Sequence, residues 1–163
     1  MSLRSAQIAD LPRVVEIYNA AIPGRQATAD TTPVTVASRE PWFREFDPQR
    51  RPLWLLEREG VVCGWLSLRS FYGRPAYQAT VEAAVYTAPE ARRTRVGAEL
   101  LAHAIASAPS LSIRTILAFI FGHNEASLAL FRRFGFRDWG RLPRVAELDA
   151  IERDLLILGL RTG

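Results

Sequence analysis

The stretch Thr80 to Leu101, TVEAAVYTAPEARRTRVGAELL, decides the fold. Val81, Ala83 and Val85 alternate with Glu82, Ala84 and Tyr86, a period of two that predicts a strand, and Pro89 ends it by removing a ladder donor. A helix is predicted to begin near Val96 or Gly97. Its first N–H groups lack intrahelical acceptors, so they point out toward the turn Arg92-Arg93-Thr94-Arg95, where one phosphate can accept several of them. Three arginines beside that helix end add charge complementarity.

Outward from this stretch the order β-α-α-β-β-β-α-β-α-β-β is predicted, without repeats. A first strand covers Leu3 to Ala6, and the run from Ile8 to Ile22 reads as a helix with Asp10 as N-cap and Pro12 in its first turn. Ser38 to Phe46 predicts a second helix carrying Trp42 and Phe43. Pro52 to Leu56 and Val61 to Phe71 flank Glu59-Gly60 as a hairpin. The helix Gly97 to Ala108 gathers Leu100, Leu101, Ala104 and Ile105 on one face. Ile113 to Phe121 is nearly all apolar, which predicts a strand covered on both faces, parallel to the Val81 to Thr87 strand across a helical crossover. Asn124 caps a further helix that turns Leu128, Phe131 and Phe134 inward and stops at Gly135. Phe136 to Leu142 and Asp154 to Leu160 are the closing strands. The expected class is α/β, a mixed sheet with helices on both faces.

At 163 residues the chain suits one domain, 1–163, rather than two. No apolar run approaches the roughly 20 residues of a membrane span, and no apolar signal core follows Met1-Ser2-Leu3-Arg4, so no membrane partner is expected. The single cysteine, Cys63, reads as a buried strand residue, and a reducing cytoplasm is the natural setting. All 21 basic residues are arginine and the net charge is +4. The uniformity reads as codon bias; the arginines are scattered and offset by 17 acids, which argues against nucleic acid. His103 and His123 lie too far apart to suggest a metal set, so no metal is expected.

Several motifs carry a resemblance. Arg92-Arg93-Thr94-Arg95-Val96-Gly97 resembles the Q/R-x-x-G-x-G/A pyrophosphate loop of the GNAT acetyltransferases, and VEAAVYTAP resembles the strand before it in the phosphinothricin acetyltransferase branch. His123 to Phe136, HNEASLALFRRFGF, resembles the family's N-x-x-S-x-x-L-(Y/H)-x-x-x-G-F segment, and Tyr72 to Glu82 resembles R-x-A-Y-x-x-T-x-E. Weaker matches at Asn19 and Thr28-Ala29-Asp30-Thr31 extend the likeness over nearly the whole chain. The resemblance implies a sheet of about seven strands whose central parallel pair splays apart, with acetyl-CoA in the notch. Backbone groups of Val85, Tyr86 and Thr87 would then be freed for the pantetheine amides. The loop Arg92, Arg93, Thr94, Arg95, Val96, Gly97 and Ala98 would hold the pyrophosphate, and Asn124 and Ser127 the pantetheine arm and phosphates. Glu82 is the implied general base and the Val85 N–H the oxyanion donor. Arg74 and Tyr77 are candidates for a substrate carboxylate or phosphinate, the partner being a small-molecule amine; a homodimer is also implied.

Three departures bear on these expectations. Arg95 stands where the family has its first glycine, so a left-handed backbone there would be strained. Phe131 stands where a Tyr or His often serves as acid, leaving Ser127 or water. Val145 to Asp154 keeps only the valine and final aspartate of V-G-x-K-x-G-x-W-x-D. The leading expectation is an N-acetyltransferase for a primary amine of a small molecule, by direct attack in a ternary complex. A protein amine acetyltransferase and a non-catalytic acyl-CoA-binding module are the alternatives.

Overall fold

The strands are β1 (Ser2–Ser5), β2 (Leu53–Arg58), β3 (Val61–Ser70), β4 (Thr80–Thr87), β5 (Thr115–Phe121), β6 (Arg137–Leu148) and β7 (Ile151–Arg161). The helices are α1 (Leu11–Ala21), α2 (Val36–Arg44), α3 (Val96–Ser107) and α4 (Glu125–Arg133). In the computed structural model, which describes residues 1–163, the strands join in one sheet of order β1-β2-β3-β4-β5-β7-β6. Only β4 and β5 are parallel neighbours, as the α3 crossover between them requires. The predicted element order holds.

Helices cover both faces because the sheet buries apolar residues on both. Trp65 faces α1 and donates its indole N–H to the Val14 carbonyl at 3.1 Å. The next residue back, Gly64, faces α3: a Cβ there would lie 2.6 Å from Val96 Cγ1 and 2.8 Å from the Tyr86 carbonyl oxygen. That glycine lets α3 dock against β3. Leu55, Leu66, Val81, Leu100, Ile116 and Leu158 are fully buried in the shared core.

Several boundaries differ from expectation for local reasons. A 3₁₀ turn, Ile8–Asp10, precedes α1, and the Asp10 carboxylate takes Arg4 and the Gln7 N–H rather than capping α1. α2 starts earlier because Thr35 and Ser38 form a reciprocal capping box. The closing strands β6 and β7 are longer than predicted, joined through Asp149 and Ala150, both at positive φ. That pair matches the handedness of a tight hairpin turn, as Glu59-Gly60 does between β2 and β3.

Candidate active site

The parallel ladder between β4 and β5 is short. It runs Thr80↔Thr115, Val81↔Ile116 and Glu82↔Leu117, and then stops. On its other edge β4 stays paired with β3 as far as Thr87↔Gly64. Backbone direction along β4 follows from two bonds: the Ala88 N–H donates to the Cys63 carbonyl and the Thr80 carbonyl accepts from Phe71 N–H, so even-numbered residues face β3. Val85 and Thr87 therefore turn their N–H and C=O groups into the gap, beyond the last paired residue. Tyr86 corrects the expectation that its backbone is freed: its peptide groups face β3, opposite Trp65, and only its side chain reaches the cleft. The gap is a cavity of about 630 Å³, walled by Ala83, Val85, Phe119, Phe121 and Phe131 among others.

At the C-terminal end of β4 the chain passes through a 3₁₀ turn, Pro89–Ala91, into the basic loop. Arg93 has φ 64° and Arg95 has φ 69°, ψ 14°, the left-handed region. The turn thus keeps the conformation a glycine would favour and places arginine in it, at a cost of about 1 kcal/mol or more each. Arg58 steadies it, donating to the Thr94 carbonyl at 2.8 Å and pairing with Glu99 at 3.3 Å. The first helical bond is Glu99 N–H to the Arg95 carbonyl, so the N–H groups of Val96, Gly97 and Ala98 have no intrahelical acceptor. Arg92, Arg93, Thr94 and Arg95 are exposed, and none of the three arginines is in an ion pair. Gly97 lies where α4 comes near: a Cβ would sit 3.2 Å from Leu130 Cδ2. Unpaired cations, free N–H donors and an unpaired strand edge together fit the implied coenzyme A.

Across the gap, Asn124 caps α4, its Oδ1 accepting the Ser127 N–H at 3.2 Å, while its Nδ2 donates to the Gln26 carbonyl at 3.2 Å. Both amide ends are thus engaged within the chain, and Asn124 straps the Gln26–Ala29 loop along the cavity wall. His123 makes the same attachment next door, its Nε2 2.7 Å from the Arg25 carbonyl oxygen. Ser127 and Phe131 line the cavity. Phe131 is buried, edge-on to Phe136 at 5.0 Å, and brings no proton to the site.

Glu82 faces the α1 side of the sheet. Burial pushes its carboxyl above the ordinary 4.5, opposed by the nearby Arg69 charge. It borders the large cavity and also a second one of about 190 Å³, walled by Tyr18, Arg39, Trp42, Trp65, Arg69 and Tyr86. Arg39 bonds Asp30 at 3.0 Å and lies 4.7 Å over the Tyr18 ring. Tyr18 also bonds Asp30 and Thr28. Burial, the larger cause, and Asp30 both raise the Tyr18 hydroxyl pKa; burial raises that of Tyr86, whose hydroxyl donates to the Ala27 carbonyl at 2.9 Å. Sequence reasoning passed over this second cavity. No local pattern announces it: the register that sets Arg69 opposite Glu82 is made across the long connection from Phe71 to Ala79. Arg74 and Tyr77 lie elsewhere, at an exposed 3₁₀ turn where Tyr77 packs on Phe71; Phe71 and Tyr72 of that loop line the gap instead.

Residues 12–136 match the Acetyltransferase (GNAT) family. The chain is 48% identical over 160 residues to the Bacillus subtilis protein YwnH, provisionally named a phosphinothricin acetyltransferase, covering 98% of each chain. It is 33% identical over 147 residues to the L-methionine sulfoximine/L-methionine sulfone acetyltransferase of Pseudomonas aeruginosa, covering 90% of this chain and 86% of that one. The crystal structure of a phosphinothricin acetyltransferase from Sinorhizobium meliloti in complex with acetyl-CoA superposes with a TM-score of 0.93 at 29% identity, covering 99% of this chain and 88% of that one. A splayed sheet, a basic loop at a helix start and kinship along the whole chain agree: the chain belongs to the GNAT family and is an N-acetyltransferase.

Proposed function

We propose that the chain acetylates the primary amine of a small amino acid or amino-acid analogue, with acetyl-CoA in the β4/β5 gap and the amine entering from the second cavity. The observation that carries this is the position of Glu82, on the wall shared by the two cavities. The substrates in the names of the relatives, phosphinothricin and methionine sulfoximine, support the choice of acceptor.

Acetyl-CoA supplies an activated thioester carbonyl. The Val85 N–H donates to that carbonyl oxygen, which gains charge as the amine adds. Glu82 takes the proton that the ammonium must lose, directly or through one water, and its raised pKa makes it a better acceptor than an ordinary carboxylate. The loop from Arg92 to Ala98 holds the pyrophosphate through N–H donors and guanidinium charge. The Ser127 hydroxyl or water solvates the departing sulfur, whose ordinary pKa of about 8.5 makes it a fair leaving group unaided.

The test is a panel of amino acids, analogues and protein N-terminal peptides assayed for free thiol release with acetyl-CoA. Turnover is expected with small amino-acid acceptors. Acetylation of the N-terminal peptides with no turnover of any amino acid or analogue would instead assign the acceptor to a protein amine.

A further inference from the structure

Glu82 has a partner of opposite charge directly across the hairpin. Arg69 on β3 is its register neighbour, and both side chains stand on the α1 face and line the 190 Å³ cavity. Side chains directly opposed across a strand pair have Cβ atoms about 5 Å apart. The amine and carboxylate of an α-amino acid hang from one carbon, so a zwitterion can set its ammonium at Glu82 and its carboxylate at Arg69 together. We propose that Arg69 is the specificity-determining residue of this enzyme, selecting acceptors that carry a carboxylate beside the amine. The proposal rests on the reading of the second cavity as the amine site.

The competing cations are less suited. Arg39 is fixed in the wall by Asp30 at 3.0 Å and by the Tyr18 and Trp42 rings. Arg74 is exposed and lines neither cavity. Arg69 is held only by Glu45, at 3.0 Å, with side-chain exposures of 48% and 60%. A pair that open to water contributes little, so Arg69 can exchange it for a substrate carboxylate in the more sheltered cavity at small cost. Its planar fork suits a carboxylate through two parallel N–H bonds. Arg69 also favours the ionised form of Glu82, so removing it alters the base toward every amine. The test must separate that shared effect from recognition.

The experiment measures kcat/KM for an α-amino acid that the enzyme accepts and for the matching amine without the carboxylate, in the parent, Arg69→Ala, Arg69→Gln and Arg69→Lys. Loss of a charged hydrogen bond predicts a fall of about 10- to 100-fold with the amino acid, seen mainly in KM, beyond any fall with the plain amine. Arg69→Lys should recover part of the discrimination, and acetyl-CoA affinity should stay the same in all variants. Equal losses with both acceptors, or none with either, overturn the proposal. If the parent acetylates no α-amino acid at all, the proposed function fails first and Arg69 with it; if it does and the discrimination survives Arg69→Gln, only the role of Arg69 fails.

Discussion

A half-buried carboxylate that must lose and regain a proton is costly to keep, and Glu82 shows both sides of that cost. Burial raises its folded pKa above 4.5, so the folded state binds a proton more readily than the unfolded chain. The stability this contributes is full below the unfolded value and is lost as pH rises through the raised folded value. Glu82→Gln should therefore unfold at a higher temperature than the parent near pH 7, with the difference vanishing near about pH 4. The same variant should lower turnover by roughly 10²- to 10⁴-fold at neutral pH with acetyl-CoA affinity unchanged. Normal turnover at pH 7 would place the base on another residue. A buried charge does structural work: Arg51, 5% exposed and in no ion pair, donates to Ser70 Oγ at 2.8 Å and the Gln78 carbonyl at 2.7 Å, tying both ends of the loop that carries Phe71 and Tyr72. Arg51→Met should destabilise the fold by about 1–3 kcal/mol and raise the amine KM; chemical unfolding with the parent's midpoint would show that this clamp contributes nothing. At this scale the sequence was legible where a residue's place follows from local pattern: Glu82 on the strand beside the gap, Gly97 in the first turn of α3 and Asn124 as the cap of α4. It was not legible where the partner comes from elsewhere: alternation does not name the core side of a strand, so Arg69 stayed unseen; Arg39 reaches the site only through the packing of α2 beside α1; and backbone direction, which takes Tyr86 out of the gap, needs the register with β3.

Elements were read more fully than residues. The apolar run of β5, the strand-to-helix passage at α3 and the Glu59-Gly60 turn all follow from local pattern, and each recurs in the structure. Boundaries drifted where a side chain outside the apolar period set the end, as with the Thr35 and Ser38 caps of α2, or where the Asp149 and Ala150 turn extended β6 and β7. The placement of α3 depends on a contact no local pattern announces. At Gly64, a Cβ would meet Val96 Cγ1 at 2.6 Å and the Tyr86 carbonyl oxygen at 2.8 Å, and the second neighbour is backbone that cannot swing aside. Gly64→Ala should thus push the start of α3 outward, costing about 1–3 kcal/mol of stability, and move the Val96 to Ala98 N–H groups away from the phosphates. Thermal unfolding and acetyl-CoA titration should therefore worsen together. Lowered stability with unchanged affinity would show that the helix end is positioned by the Arg58 contacts instead.

The whole molecule is a sheet interrupted at its centre, and that interruption sets its behaviour. The β4/β5 ladder ends at Glu82↔Leu117, while β5 continues paired with β7 to Phe121↔Leu155 and β4 with β3 to Thr87↔Gly64. Each half is therefore well supported on its outer side and open on its inner side. Acetyl-CoA lying in the gap would act as the missing strand, so its binding should stabilise both halves at once. At a concentration about 100 times Kd the gain is about 2.7 kcal/mol, visible as a rise in Tm that grows with ligand concentration. Amide exchange locates the effect more sharply. Gly122 N–H bonds the Asp154 carbonyl on the β7 side, so the Phe121 N–H turns the other way, into the gap opposite Val85 and Thr87. On adding acetyl-CoA, exchange at Val85, Thr87, Phe121 and the Val96 to Ala98 helix start should slow most, with little change in β1 and β2 beyond the global gain in stability. Protection confined to the groove beside Arg50, Arg51 and Arg114, at the far end of the same strands, would place the ligand outside the notch and end the mechanism built on it.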